Sequence, residues 1–98
     1  MSLEQIKHLL RNHKQELIGK YKIKDIGIFG SYVTGNQKEK SDLDILVEFE
    51  PYAKLSLLDV AGLEIELSEI LGIKVDLVEK QTLKPYIGKY ILQEVIFV

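Results

Sequence analysis

Two aspartates, Asp42 and Asp44, lie two residues apart at the start of a β-rich run, and a third, Asp76, sits between Val75 and Leu77 in another. Alternate residues of a strand point to one face, so the Asp42 and Asp44 carboxylates project together. Like charges that close raise each other's pKa unless something positive lies between them, and a divalent cation is the usual solution. For this pair alone, a solvated strand end with turn-forming aspartates is the competing reading. Asp76 strengthens the metal reading, because an unpaired ionised carboxylate is costly to bury inside an apolar run. It needs a partner: either a metal shared with the other two, or a lysine such as Lys74 or Lys80. Three carboxylates in a chain without cysteine suit a hard cation such as Mg²⁺, which takes oxygen ligands.

Gly30-Ser31 supplies a second feature. Glycine lets the backbone approach a ligand closely, and exposed N–H groups beside a serine hydroxyl can bind phosphate oxygens. No GxxxxGK[ST] pattern is present, which excludes a P-loop. Lys20, Lys22 and Lys24 on one side and Lys38 and Lys40 on the other bracket this segment. Most such lysines simply face water, and a few of them can draw in a polyanion.

These residues need elements to hold them. Ser2-Leu3-Glu4-Gln5 has the spacing of a capping box, and Leu3, Ile6, Leu9, Leu10, Leu17 and Ile18 gather on one helical face, with Gly19 placed to end the helix. His8 and His13 fall on its surface. Ile23 to Phe29 reads as a strand stopping at Gly30-Ser31, residues 32–41 as a polar loop with at most a helical turn, and Leu43 to Phe49 as a second strand. Ser56 to Leu71 reads as a helix capped by Ser56 and closed by Gly72. Its apolar residues cover more than one stripe, which points to burial on two sides or to a partner. Ile73 to Val78 reads as a third strand, and about Leu83 to Glu94 as a last helix. The ending Val95-Ile96-Phe97-Val98 is apolar and is expected to pack on the domain or on another chain, a copy of itself or a different protein.

The order helix, strand, strand, helix, strand, helix predicts an α/β (α+β) fold, a small mixed sheet flanked by helices, with the first two strands as candidate antiparallel neighbours. Ninety-eight residues make one domain, 1–98, well short of the roughly 250 at which cores divide. Hydrophobic residues form 46% of the chain and charged residues 29%, the mix of a globular domain. No apolar run reaches the ~20 residues of a membrane span and the N-terminus lacks a secretory pattern, so no membrane partner and a cytoplasmic location are the expectation. A net charge of −2 gives no global basic field for nucleic acid.

The stretch GSYVTGNQKEKSDLDILVEF, residues 30 to 49, together with KVDLVE around Asp76, closely resembles the signature of the polymerase-β-like nucleotidyltransferases, specifically the minimal nucleotidyltransferase (MNT, MntA-like) family. The resemblance runs over almost the whole chain, including the ending IGKYILQEVIFV. It implies the family's mixed-sheet fold and a site in which Asp42, Asp44 and Asp76 are catalytic and bind two Mg²⁺ beside a nucleoside triphosphate such as ATP. Gly30 and Ser31 are then implied to take the phosphates. It further implies an antitoxin that neutralises a HEPN-type toxin by transferring AMP to a hydroxyl, a tyrosine in some members.

The chain departs from the family pattern at Thr34, where many relatives carry an arginine before the second glycine, here Gly35; threonine cannot clamp phosphate bidentately. Two other readings compete with enzymatic transfer: an antitoxin that silences the toxin by complex formation alone, and a sensor that binds nucleotide without transferring it. Transfer to an antibiotic or to RNA fits less well, because the chain has neither room for a large substrate domain nor a basic face with aromatic platforms.

Overall fold

In the computed structural model, which describes residues 1–98, the chain folds as α1 (Leu3–Tyr21), β1 (Ile23–Phe29), the short α2 (Ser31–Thr34), β2 (Leu43–Phe49), α3 (Leu57–Leu71), β3 (Val75–Glu79), α4 (Pro85–Glu94) and β4 (Ile96–Phe97). A 3₁₀ turn, Lys80–Thr82, joins β3 to α4. The sheet order is β3-β2-β1-β4, with β1 antiparallel to both β2 and β4 and β2 parallel to β3. This is the expected small mixed sheet with flanking helices. No helix is long and apolar enough to cross a membrane.

The capping signals act where the sequence places them. Ser2 and Ser56 each accept a hydrogen bond from the backbone N–H three residues on, and Gln5 and Asp59 return it. Gly19 does not end α1. The helix runs two residues further, to Tyr21, because Tyr21 is buried against α3 and donates to Glu66 Oε1 at 3.1 Å while Lys20 Nζ reaches the same oxygen at 2.7 Å. Lys22 then takes the left-handed cap at φ 55°. The third strand starts at Val75 rather than Ile73, and the last helix at Pro85, whose ring suits a first helical turn.

Helices α1 and α3 cover one face of the sheet. Ile6, Leu10 and Leu17 of α1 and Leu63, Leu67 and Leu71 of α3 enclose Ile26, Ile28, Leu43, Ile45, Val47 and Val75 in a continuous core. Strand alternation sends Gly27, Phe29, Asp44, Leu46 and Asp76 to the opposite, more open face. The extra apolar residues of α3 are not buried by a second layer: Leu57 is 89% exposed and Leu58 84%.

The apolar tail packs on its own domain, forming the edge strand β4, which the sequence did not announce as a strand. Gly27 pairs with Phe97 and Ile28 with Ile96, and Val98 N–H donates to Ile26 O at 3.0 Å. Gly27 permits this, since a Cβ there would stand 2.6 Å from Val95 Cγ2 and 3.1 Å from Ile96 O. Gly27→Ala is therefore expected to lower stability by about 1–3 kcal/mol through overpacking. Val95→Ala in that background is expected to recover part of the loss in urea unfolding, and an unchanged midpoint in the single variant would contradict the close packing of the tail.

Candidate functional site

The site forms where β1 ends and β2 and β3 begin. Phe29 pairs with Asp44 across the antiparallel β1–β2 ladder, and Asp44 pairs with Asp76 across the parallel β2–β3 ladder. Direct neighbours in a sheet point the same way, on strands about 4.8 Å apart. Asp44 and Asp76 thus share the open face, and Asp42, one strand period before Asp44, joins them. The structure brings Asp42, Asp44, Asp76, Gly30 and Ser31 to one corner of the sheet.

Each is held by identifiable partners. Gly30 adopts φ 79°, ψ −152°, a conformation open in practice only to glycine. A Cβ on it would overlap Asp44 Oδ2. The turn that follows is closed by Val33 and Thr34 N–H groups donating to Gly30 O. Buried Tyr32 reaches Ser41 O at 3.4 Å, and Ser41 accepts from Lys38 N–H at 2.7 Å, which fixes the approach to Asp42. On the far side, α3 anchors β3: Ser68 Oγ accepts from Val75 N–H at 3.0 Å and Glu64 Oε2 from Leu77 N–H at 3.0 Å. Those two bonds satisfy edge-strand donors on either side of Asp76.

Asp76 departs from the sequence expectation in one respect. Val75 and Leu77 pack toward the helices, but Asp76 points to the open face of an edge strand and is exposed, so no burial cost demands a partner for its charge. It pairs with neither lysine proposed from sequence. Lys74 Nζ lies 3.8 Å from Asp42 Oδ2, and Lys80 Nζ 3.3 Å from Glu48 Oε1.

Asp44 carries the electrostatic tension instead. Its carboxyl is held above the usual carboxylate range, first by burial and then by the negative charges of Asp76, Asp42 and Glu94. Glu94 is a site neighbour that sequence reasoning missed. Its Oε1 accepts from Gly30 N–H at 2.9 Å across 64 residues of chain, and only the register of the unannounced β4 could have revealed it. Glu64 and Ser68 were also missed, having read as ordinary positions of α3.

The donor set fits a hard divalent cation: all oxygens, no thiolate, and a partly buried carboxylate surrounded by like charge. The side chains do not yet converge on one point, and no three acidic or histidine groups stand in ligating arrangement. Asp42 lies near Lys74, so ligation requires its carboxylate to turn inward. Thr34, at the arginine position, uses its hydroxyl within the turn, 3.5 Å from Ser31 O and 3.1 Å from Asn36 Nδ2.

The family model of the nucleotidyltransferase domain matches residues 10–98. The chain is 48% identical over 98 residues to the protein adenylyltransferase MntA of Thermococcus cleftensis, covering all of this chain and 97% of that one. It is 52% identical over 98 residues to a candidate protein adenylyltransferase of Methanocaldococcus jannaschii, covering 99% of this chain and 98% of that one. Among solved structures, a candidate minimal nucleotidyltransferase superposes with a TM-score of 0.80 at 35% identity, over 98% of this chain and 95% of that one. A toxin–antitoxin crystal structure with AMP-PNP superposes with a TM-score of 0.70 at 26% identity, over 88% and 69%. The chain belongs to the nucleotidyltransferase-domain family, and within it to the minimal nucleotidyltransferases.

The strain on Asp44 has a measurable sign. A carboxyl whose folded pKa exceeds its unfolded value leaves the folded state fully stable at low pH and costs stability as pH rises through the folded value. Asp44→Asn is therefore expected to raise the melting temperature of the metal-free protein at pH 7, by roughly 2–5 °C. The gain should vanish near pH 3, below the ordinary carboxylate range. A lower melting temperature for the variant at pH 7 would contradict the assignment.

Proposed function

We propose that this chain is a Mg²⁺-dependent nucleotidyltransferase that moves AMP from ATP onto a hydroxyl, a tyrosine for choice, of a partner HEPN-type toxin, and so acts as its antitoxin. The observation that carries the reading is the juxtaposition of Gly30, Asp44 and Asp76 on the open corner of the sheet. The relatives support it: one is a protein adenylyltransferase, and another solved relative is a toxin–antitoxin assembly holding a nucleotide analogue.

In this reading Asp42, Asp44 and Asp76 hold the metal, with Asp42 and Asp44 on the triphosphate side and Asp76 on the acceptor side. Bound there, Mg²⁺ neutralises phosphate charge and lowers the pKa of the attacking hydroxyl. Gly30 and Ser31 form the phosphate-binding turn, Gly30 by letting the backbone approach closely and Ser31 by its donors, orienting the α-phosphorus toward the open face. The acceptor oxygen forms the new bond to that phosphorus, the bond to pyrophosphate breaks, and the hydroxyl proton leaves to a carboxylate or to water. Exposed Asp76 is open to a macromolecular acceptor. The apolar side chains of Leu57, Leu58 and Ile65 on α3 and of Tyr86 and Tyr90 on α4, all more than half exposed, are available for contact with it.

A second reading is favoured by Thr34, which stands where many relatives carry an arginine: an antitoxin that neutralises by complex formation alone. The two separate in one experiment. With α-labelled ATP, Mg²⁺ and the toxin, the wild type is expected to label the toxin, and Asp42→Asn/Asp44→Asn to lose at least about 10³-fold in rate while still binding it. A stable complex that never takes label, with any nucleoside triphosphate, would sink the enzyme and leave the binding antitoxin.

A further inference from the structure

Glu94 is tied to the candidate site by the fold rather than by proximity in sequence. Strand β4 runs antiparallel to β1 with Gly27 opposite Phe97 and Ile28 opposite Ile96. Each step forward on β1 is a step back on the tail, so the same register carried two residues further sets Gly30 across from Glu94. There its carboxylate meets the Gly30 N–H at 2.9 Å. That amide belongs to a glycine in a conformation other residues avoid, packed so closely on Asp44 that no Cβ fits. A partly buried N–H at such a point needs an acceptor, and without one the turn has a reason to relax.

A carboxylate is an odd choice of acceptor here. It adds a negative charge beside Asp44, Asp42 and Asp76, which works against a triphosphate as well as against the folded state. What it offers in return is geometric: an oxygen on the last turn of α4, fixed by the β4 pairing that follows it, which pins the turn carrying Gly30 and Ser31.

We propose that Glu94 is a positioning residue for nucleotide binding, acting through its oxygen on the Gly30 N–H to hold the phosphate-binding turn against Asp44. The inference rests on the reading of the Gly30-Ser31 turn as the phosphate-binding element, in which Ser31 supplies the donors and Gly30, its N–H held by Glu94, supplies the close backbone approach. It separates Glu94 from a gate, which would occupy the phosphate position and have to be expelled.

Two variants of the full chain isolate the role. Glu94→Gln and Glu94→Ala remove the same charge, but only glutamine keeps an oxygen that can accept from Gly30. Calorimetric titration with ATP and Mg²⁺, without an acceptor, is expected to show E94Q binding at least as tightly as wild type and E94A about tenfold more weakly than E94Q, the scale of one hydrogen bond. Hydrogen exchange of the Gly30 amide, followed by NMR without ligand, is expected to remain slow in E94Q and to accelerate in E94A. Equal affinities for the two variants, or tighter binding by E94A than by E94Q, would overturn the proposal while leaving the phosphate site intact. A wild type that binds no ATP at all would overturn the phosphate reading and this inference with it.

Discussion

The close approach of Gly30 to Asp44 is the constraint on which the rest of the site depends. It is possible because β1 and β2 are antiparallel neighbours in register, so that the residue after Phe29 emerges beside the residue opposite Phe29. It is tolerated because residue 30 has no side chain. Any β-carbon would push either the turn or the carboxylate away. One missing methyl group therefore couples a backbone turn suited to anions with a carboxylate suited to cations, the two halves that the proposed metal–triphosphate site requires.

Charge is arranged against stability at this corner. Asp44 is partly buried among Asp42, Asp76 and Glu94, and the nearest lysine, Lys74, reaches only Asp42. The opposite face carries the compensation: its apolar core is continuous from α1 through the sheet to α3, and it contains no buried polar or charged residue. A different ion group, Glu66 with Lys20 and Tyr21, pins α1 to α3, and there the attraction to Lys20 draws the Glu66 carboxyl below its usual range. Like charge is thus gathered where a cation would relieve it, and opposite charges are paired where no ligand is expected.

How much of this could be read from the residues follows from the range of the forces involved. Asp42 and Asp44 declared themselves because strand period is local, and Ser2 and Ser56 because a capping box spans four residues. The limits of β1 and β2 were legible for the same reason. Gly19 misled because a glycine permits a helix end without requiring one, and the pull of Glu66, 46 residues away, extended the helix to Tyr21. Asp76 was grouped with Asp44, and the sheet register does set it beside Asp44, but not for reasons of burial: its apolar neighbours imply burial only if the strand is covered on both faces, and β3 is not. Strand β4, and Glu94 with it, were invisible because a two-residue strand has no period to detect and its pairing is set by the absence of a side chain at Gly27.

The two faces of the sheet divide the work, and β3 is where they meet. Its inward residues, Val75 and Leu77, belong to the core, while Asp76 between them faces the site. Because β3 has no strand beyond it, its outer N–H groups depend on Ser68 and Glu64 of α3. Helix α3 therefore does two jobs with different faces. One stripe, Leu63, Leu67 and Leu71, supplies apolar burial, and the polar positions beside it set the height and tilt of the strand that carries Asp76. A change in α3 that leaves the core untouched can still move a site carboxylate, because an edge strand held by side chains is only as well placed as the helix that offers them.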